Sequence, residues 1–203
     1  MINQSTKIYN FFFYFKLYLI FLGIAGVYHL YYKHNGGLDS TISEWMVNYK
    51  GGFTRRGLTG EIFIFFSNKL DLPIRFIIFL FQSLFYGIFL TLTFYFFKKI
   101  KKINYILLLI IFCPLFLIYH VAELEILARK EILIFSHFYV YLFFLEKKNN
   151  PNLSNFYLLL TLPILSLIWE PIIFFIPFYV FCFASRYVEN IKKFKPNLLL
   201  NHF

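Results

Sequence analysis

Apolar runs long enough to cross a bilayer constrain this chain more than any other feature. Ile8 to Tyr32 is a 25-residue run broken only by Lys16 and His29, and at 1.5 Å per residue a helix of that length covers a hydrocarbon core of about 30 Å. It is too long for the apolar core of a signal peptide, and no A-x-A-like site follows it. The next run, Leu72 to Phe97, opens with Asp71-Leu72-Pro73 and closes at Lys98, Lys99, Lys101 and Lys102. Asp71 is placed to cap a helix there, with Pro73 tolerated in its first turn. Tyr105 to Val121 contains Pro114 and is followed by the short charged stretch AELEILARKE. Ile132 to Leu145 has only 14 residues, about 21 Å as helix, which sets Arg129, Lys130 and Glu131 at headgroup depth. Phe156 to Ala184 is apolar except for Trp169-Glu170-Pro171. It reads either as one tilted helix with a buried glutamate or as two short helices meeting at Glu170.

Charge decides between those two readings. Loops rich in Lys and Arg stay in the cytoplasm, and the dense clusters are Lys98 to Lys102, Lys147 with Lys148, and Lys192, Lys193 and Lys195. Keeping them all on the side of the amino terminus requires the last apolar run to enter and return as a hairpin. The fold expected is therefore all-α: a polytopic integral membrane protein of about six transmembrane helices, two of them short and paired in the hairpin. The spans lie at about 8–32, 72–97, 105–121, 132–145, 156–169 and 171–185, with an outer loop over 33–71 that carries an interfacial helix. A composition of 60% hydrophobic and 15% charged residues agrees, since soluble domains hold about half and a quarter. The residues from Pro196 to Phe203, apolar again after the final basic stretch, suit a fragment or the amino-terminal part of a longer polytopic chain.

Sorting charges by this topology gives twelve basic residues against two acidic ones inside, and eight against eight outside. The whole net charge of +10 thus belongs to the inner membrane surface, and nucleic acid is not an expected partner. Eight basic residues on the side that topology disfavours point to a working face, although acids and bases there can also simply neutralise one another. The longest polar stretch, Asp39 to Glu61, sets Asn48, Tyr49, Arg55, Arg56 and Glu61 among four glycines. Small residues let backbone N–H groups approach an anion, and paired arginines grip phosphate in a fork. The plainer reading is a surface loop of turn glycines and snorkelling arginines. An outer cavity of arginines and carboxylates suits a substrate with one end in the bilayer and a charged head, such as a polyprenyl phosphate.

Other residues have local explanations. Thr41 and Glu44 have capping-box spacing and start a helix over about 42–49, while Asp39 precedes that cap with no such duty beyond a turn. Glu125 and Arg129, four apart, form a helix-surface pair. His120 and Glu123 are too few for a metal site. Asn152-Leu153-Ser154 matches a glycosylation sequon, but falls inside. Cys113 and Cys182 lie in apolar runs and imply neither disulfides nor zinc. No nucleotide loop, nucleophile elbow, zinc-protease motif or internal repeat occurs, so no cofactor is expected.

Three polar islands, NYKGGFTRRGLTGE (Asn48 to Glu61), ARKE (Ala128 to Glu131) and LIWEP (Leu167 to Pro171), resemble those of a group of largely uncharacterised bacterial multi-pass proteins of envelope polysaccharide regions. Trp169 stands where that group's pattern has a histidine. More remotely, an acid in the first outer loop is similar to the GT-C glycosyltransferases. The resemblance implies a bacterial inner-membrane protein of surface glycan assembly. Asp39 would be the catalytic base toward an acceptor hydroxyl, and Arg55 and Arg56 would hold the leaving phosphate. Arg129, Lys130, Glu131 and Glu170 would line the substrate cavity, with Asn48, Tyr49 and Glu61 in the binding loop. Its partners would be the lipid bilayer, a polyprenyl-phosphate-linked substrate and other membrane proteins. The rival is a non-enzymatic lipid-linked glycan transporter or membrane assembly subunit, using the same charges only to bind.

Overall fold

The computed structural model describes residues 2–37, 40–100, 105–113, 117–123, 125–146 and 152–186, and among these every regular element is helical. The long helix α1 (Ile2–Asn35) is followed by α2 (Ser40–Met46), α3 (Leu58–Leu70), α4 (Ile74–Phe97), α5 (Tyr105–Phe112) and α6 (Tyr119–Ala122). Then come α7 (Glu131–Glu146), α8 (Asn152–Ile168), a 3-10 segment at Glu170–Phe175 and a helix α9 over 176–186.

Helices α1 and α4 form the spine. Phe15 of α1 meets Phe94 and Phe97, whereas Gly26, further along α1, lies against the ring of Tyr86, so the two helices are antiparallel. Gly26 has no room for a side chain because that ring fills the place a Cβ would take, the close approach that small residues permit between apolar helices. On the other face of α4, Ser136 of α7 donates to the Phe85 carbonyl, Tyr139 packs on Phe89 and Phe96, and Phe143 meets Tyr95. Numbers rise together, so α4 and α7 are parallel. Segment α5–α6 returns beside α1, with Phe112 against Tyr18 and His29 Nδ1 donating to the Val121 carbonyl at 2.9 Å.

The final apolar run does break and turn back. Trp169 is extended, at φ −153° and ψ 105°, and Pro171 follows in the first turn of the 3-10 segment. His137 of α7 makes 2.7 Å hydrogen bonds to both Thr161 of α8 and Tyr179 of α9, which places those two residues at one level on either side of Trp169. One end of the bundle therefore gathers Lys98, Lys99, Glu146, Asn152 and Arg186. The opposite end gathers Asn35, the loop before α4, Glu131 and Glu170.

Among the described residues two helices are long and apolar enough to cross a membrane: Asn10–Asn35, with 26 residues and mean hydropathy 1.8, and Ile74–Phe97, with 24 residues and mean hydropathy 2.0. Phe21 and Ile24 on α1 are each 68% exposed; such an apolar surface is unfavourable in water and ordinary in lipid.

Several boundaries differ from the sequence reading. A continuous helix over 105–121 is not formed: α5 ends at Phe112 and Cys113 is irregular. Pro114 explains this, because proline lacks a donor and steers the residue before it out of the α region. The loop over 33–71 contains the 13-residue α3 as well as α2, which ends at Met46 rather than near Tyr49. Asp71 caps the end of α3, in the left-handed region at φ 52°, with its N–H on the Ser67 carbonyl. It does not cap α4, which Pro73 immediately precedes. Helices α2, α3 and α4 meet around Trp45, fully buried against Phe63 and Phe81.

Candidate functional site

The peptide over 125–130 enters the polar end of the bundle as a turned segment, and long side chains from α1 and α4 hold its backbone. Lys33 Nζ, at the end of α1, donates to the Leu127 carbonyl at 3.5 Å. Gln82 of α4 donates to the Ala128 carbonyl at 2.9 Å and accepts from His34 Nε2 at 2.8 Å. Ala128 itself is left-handed, at φ 53°, a conformation that costs a residue with a Cβ about 1–2 kcal/mol. The loop is held over-determined enough to bear that strain.

From this anchored turn the next three side chains spread. Arg129 pairs with Glu44 of α2 at 2.8 Å and lies 3.8 Å from Glu131. Because 125–128 is turned rather than helical, Arg129 makes this contact across the fold instead of forming the helix-surface pair that its spacing from Glu125 predicts. Lys130 is wholly buried. Its ammonium donates to the carbonyls of Arg56 at 3.4 Å and Ile168 at 3.3 Å and lies 5.9 Å from the Trp169 ring centre. Burial pulls its pKa down to about 8, with Glu44 opposing and Arg56 adding to the fall. Arg56 sits over the Trp169 ring at 4.5 Å, a cation–π contact, and faces Glu170 across a loose 3.9 Å ion pair.

The three polar islands thus meet at one place, although Arg56 and Glu170 are 114 residues apart in sequence. Arg56, Arg129, Lys130, Glu131 and Glu170 belong to it. Arg55 does not share the contacts of Arg56: it is exposed, with no partner among the described residues, so the two arginines do not form a shared fork. Asn48, Tyr49 and Glu61 build the loop itself. Asn48 donates to the Met46 carbonyl and accepts from the Lys50 N–H. Glu61 accepts the Tyr49 N–H at 2.8 Å, and the Tyr49 ring covers Gly57 and stacks on Phe53. Asp39 lies outside the described residues.

Sequence reasoning gave Glu44 only a capping role and passed over Lys33 and Gln82. An amide within an apolar run, and a lysine closing one, are the signals that could have found them. Among the described residues no three potential metal ligands gather.

Below the cluster lies a cavity of about 250 Å³ between α4, the 125–130 turn and α7, with Arg129 and Glu131 in its lining. No family model, curated protein or solved structure matches the chain.

Proposed function

We propose that this is a multi-pass bacterial inner-membrane protein of surface glycan assembly, binding the phosphate-bearing head of a polyprenyl-linked sugar at the polar end of its bundle. On this reading about six segments cross the membrane, with the amino terminus and the lysine-rich end in the cytoplasm. The parallel and antiparallel helix directions support that arrangement, since they put Lys98, Lys99 and Arg186 at the end where α1 begins. Helices α7, α8 and α9 are short for independent spans and would cross as members of the bundle.

One observation carries the binding role: the convergence of Arg56 from the first island with Arg129 and Lys130 from the second, Lys130 being buried and, among the described residues, without a carboxylate partner. A buried ammonium on carbonyl oxygens alone is poorly compensated, and an arriving phosphate would compensate it. Arg55, exposed beside this group, would meet the ligand from the aqueous side.

Transfer chemistry of the GT-C kind requires a free carboxylate as base. Glu44, Glu61, Glu131 and Glu170 are each engaged by a cation or a backbone N–H, which favours binding; Asp39, the base that the resemblance implies, is the residue to test. Turnover of a polyprenyl-phosphate sugar by purified protein, lost in Asp39→Asn with lipid-phosphate binding retained, is the outcome expected of a transferase. Binding without turnover in the parent would select the transporter or assembly-subunit reading. No lipid-phosphate binding at all would overturn the proposal.

A further inference from the structure

The cavity beneath the cluster has the shape and polarity of an amphiphile site. Its rim is Arg129 and Glu131, and its walls include Phe89, Ile126, Ile132 and Phe135. The Ala128 carbonyl is at the level of Gln82, and Phe89 is seven residues further along α4, about 10 Å toward the lysine-rich end. The cavity therefore descends from the polar cluster into the apolar body of the bundle. At roughly 30 Å³ per carbon- or water-sized group, its volume of about 250 Å³ admits about eight such groups.

The rim identifies the head. Arg129 Nε and Glu131 Oε2 are sealed from solvent, have no hydrogen-bond partner and stand 3.8 Å apart. They form a loose ion pair with no hydrogen bond, a fixed donor beside a carboxylate acceptor, and buried groups whose hydrogen bonds are unmade are costly. A head that enters from the cavity and parts this loose pair, accepting from the guanidinium and donating to the carboxylate, satisfies both. A phosphate monoester carrying one proton does so, through an oxygen and its P–OH.

We propose that this cavity binds the first carbons of a lipid phosphate monoester, the carrier without its sugar, about eight of them, with the monoprotonated phosphate bridging Arg129 and Glu131. The rest of the lipid chain leaves the cavity into the bilayer. This rests on the lipid-phosphate reading above and adds to it where the chain runs and how much of it is recognised.

Alkyl phosphates of increasing length, together with geranyl phosphate, test the assignment by competition against a fluorescent long-chain polyprenyl phosphate on the purified protein in nanodiscs. In the parent, affinity should rise up to about fourfold per methylene from butyl to octyl phosphate and then level off. Ile126→Trp, which fills the cavity, should flatten that rise and weaken octyl phosphate by at least tenfold. Ile126→Ala, which enlarges the cavity and serves if the tryptophan variant does not fold, should move the plateau to longer chains. Geranyl phosphate outcompeting octyl phosphate identifies an isoprenoid, and equal competition a general alkyl phosphate; either supports the cavity. A folded Ile126→Trp protein, or an Ile126→Ala protein, with the chain-length profile of the parent overturns the cavity while the lipid-phosphate function stands. A parent that binds no lipid phosphate overturns both.

Discussion

The two ends of the bundle use charge in opposite ways. At the lysine-rich end, Lys99 bonds Glu146 and lies over the Tyr95 ring, joining the ends of α4 and α7 in an exposed pair that solvent and salt weaken. At the other end Lys130 is sealed, Arg129 bridges two carboxylates, and the partners come from segments 38 to 94 residues away. Charge at the first end is surplus to packing. At the second it is part of what holds α1, α2, α4, α7 and α8 in register, so the fold there cannot be separated from the site.

The largest effect should come from the apolar footing of the second end. Trp45→Ala removes the fully buried ring on which α2, α3 and α4 converge and should cost about 3–5 kcal/mol, read as a fall in the unfolding midpoint in detergent. A loss under 1 kcal/mol would mean that α2 and α3 are not integral to that end.

Lys130 should give a pH signature that Lys99 lacks. Its folded pKa of about 8 lies below the ordinary lysine value of 10.5, so both states carry the proton below about pH 8 and the burial cost is then complete. Between about 8 and 10.5 the folded protein releases its proton first, the unfolded chain binds more protons, and stability rises with pH. The rise should be on the order of a few kcal/mol, and it should vanish from the difference curve in Lys130→Met, which stays folded but loses lipid-phosphate binding. Identical pH curves for parent and variant would show that the ammonium is not held in a buried state.

The smallest effects sharpen the contrast between the two pairs. Arg129→Gln leaves the half-buried Glu44 without its cation and should cost about 1–2 kcal/mol, whereas Lys99→Gln should stay within about 0.5 kcal/mol. Equal losses in a matched unfolding series would erase the distinction between the ends.

Much of this contrast was legible in the sequence, and its geometry was not. The long apolar runs over 8–32 and 72–97 announce α1 and α4 by their length and apolar character alone. Trp169-Glu170-Pro171 announces a break, since proline and a carboxylate both disfavour a continuing apolar helix. The helix α3 was hidden because Gly60, Ser67, Asn68 and Lys69 interrupt its apolar pattern, while its burial against Trp45 and Phe81 is a tertiary gain that no local window registers. Asp71 misled for a related reason: Asp-Leu-Pro favours an N-cap locally, but the residue could also take the left-handed turn that ends the preceding helix. The pairing of Arg129 with Glu44, 85 residues apart, has no sequence signal beyond the two charges themselves.

The anchoring of the 125–130 turn has a consequence for the order in which the molecule is completed. As the chain is synthesised, α1 and α4 can pair through Phe15, Gly26 and Tyr86 while the ARKE segment does not yet exist. Such an early pair already joins His34 to Gln82, yet it leaves the Gln82 amide N–H and the Lys33 ammonium without the carbonyls of Ala128 and Leu127 that they hold in the finished protein. Two donors at the edge of an apolar spine mark where the later segment must land, and the unfinished pair remains polar at that spot until it does.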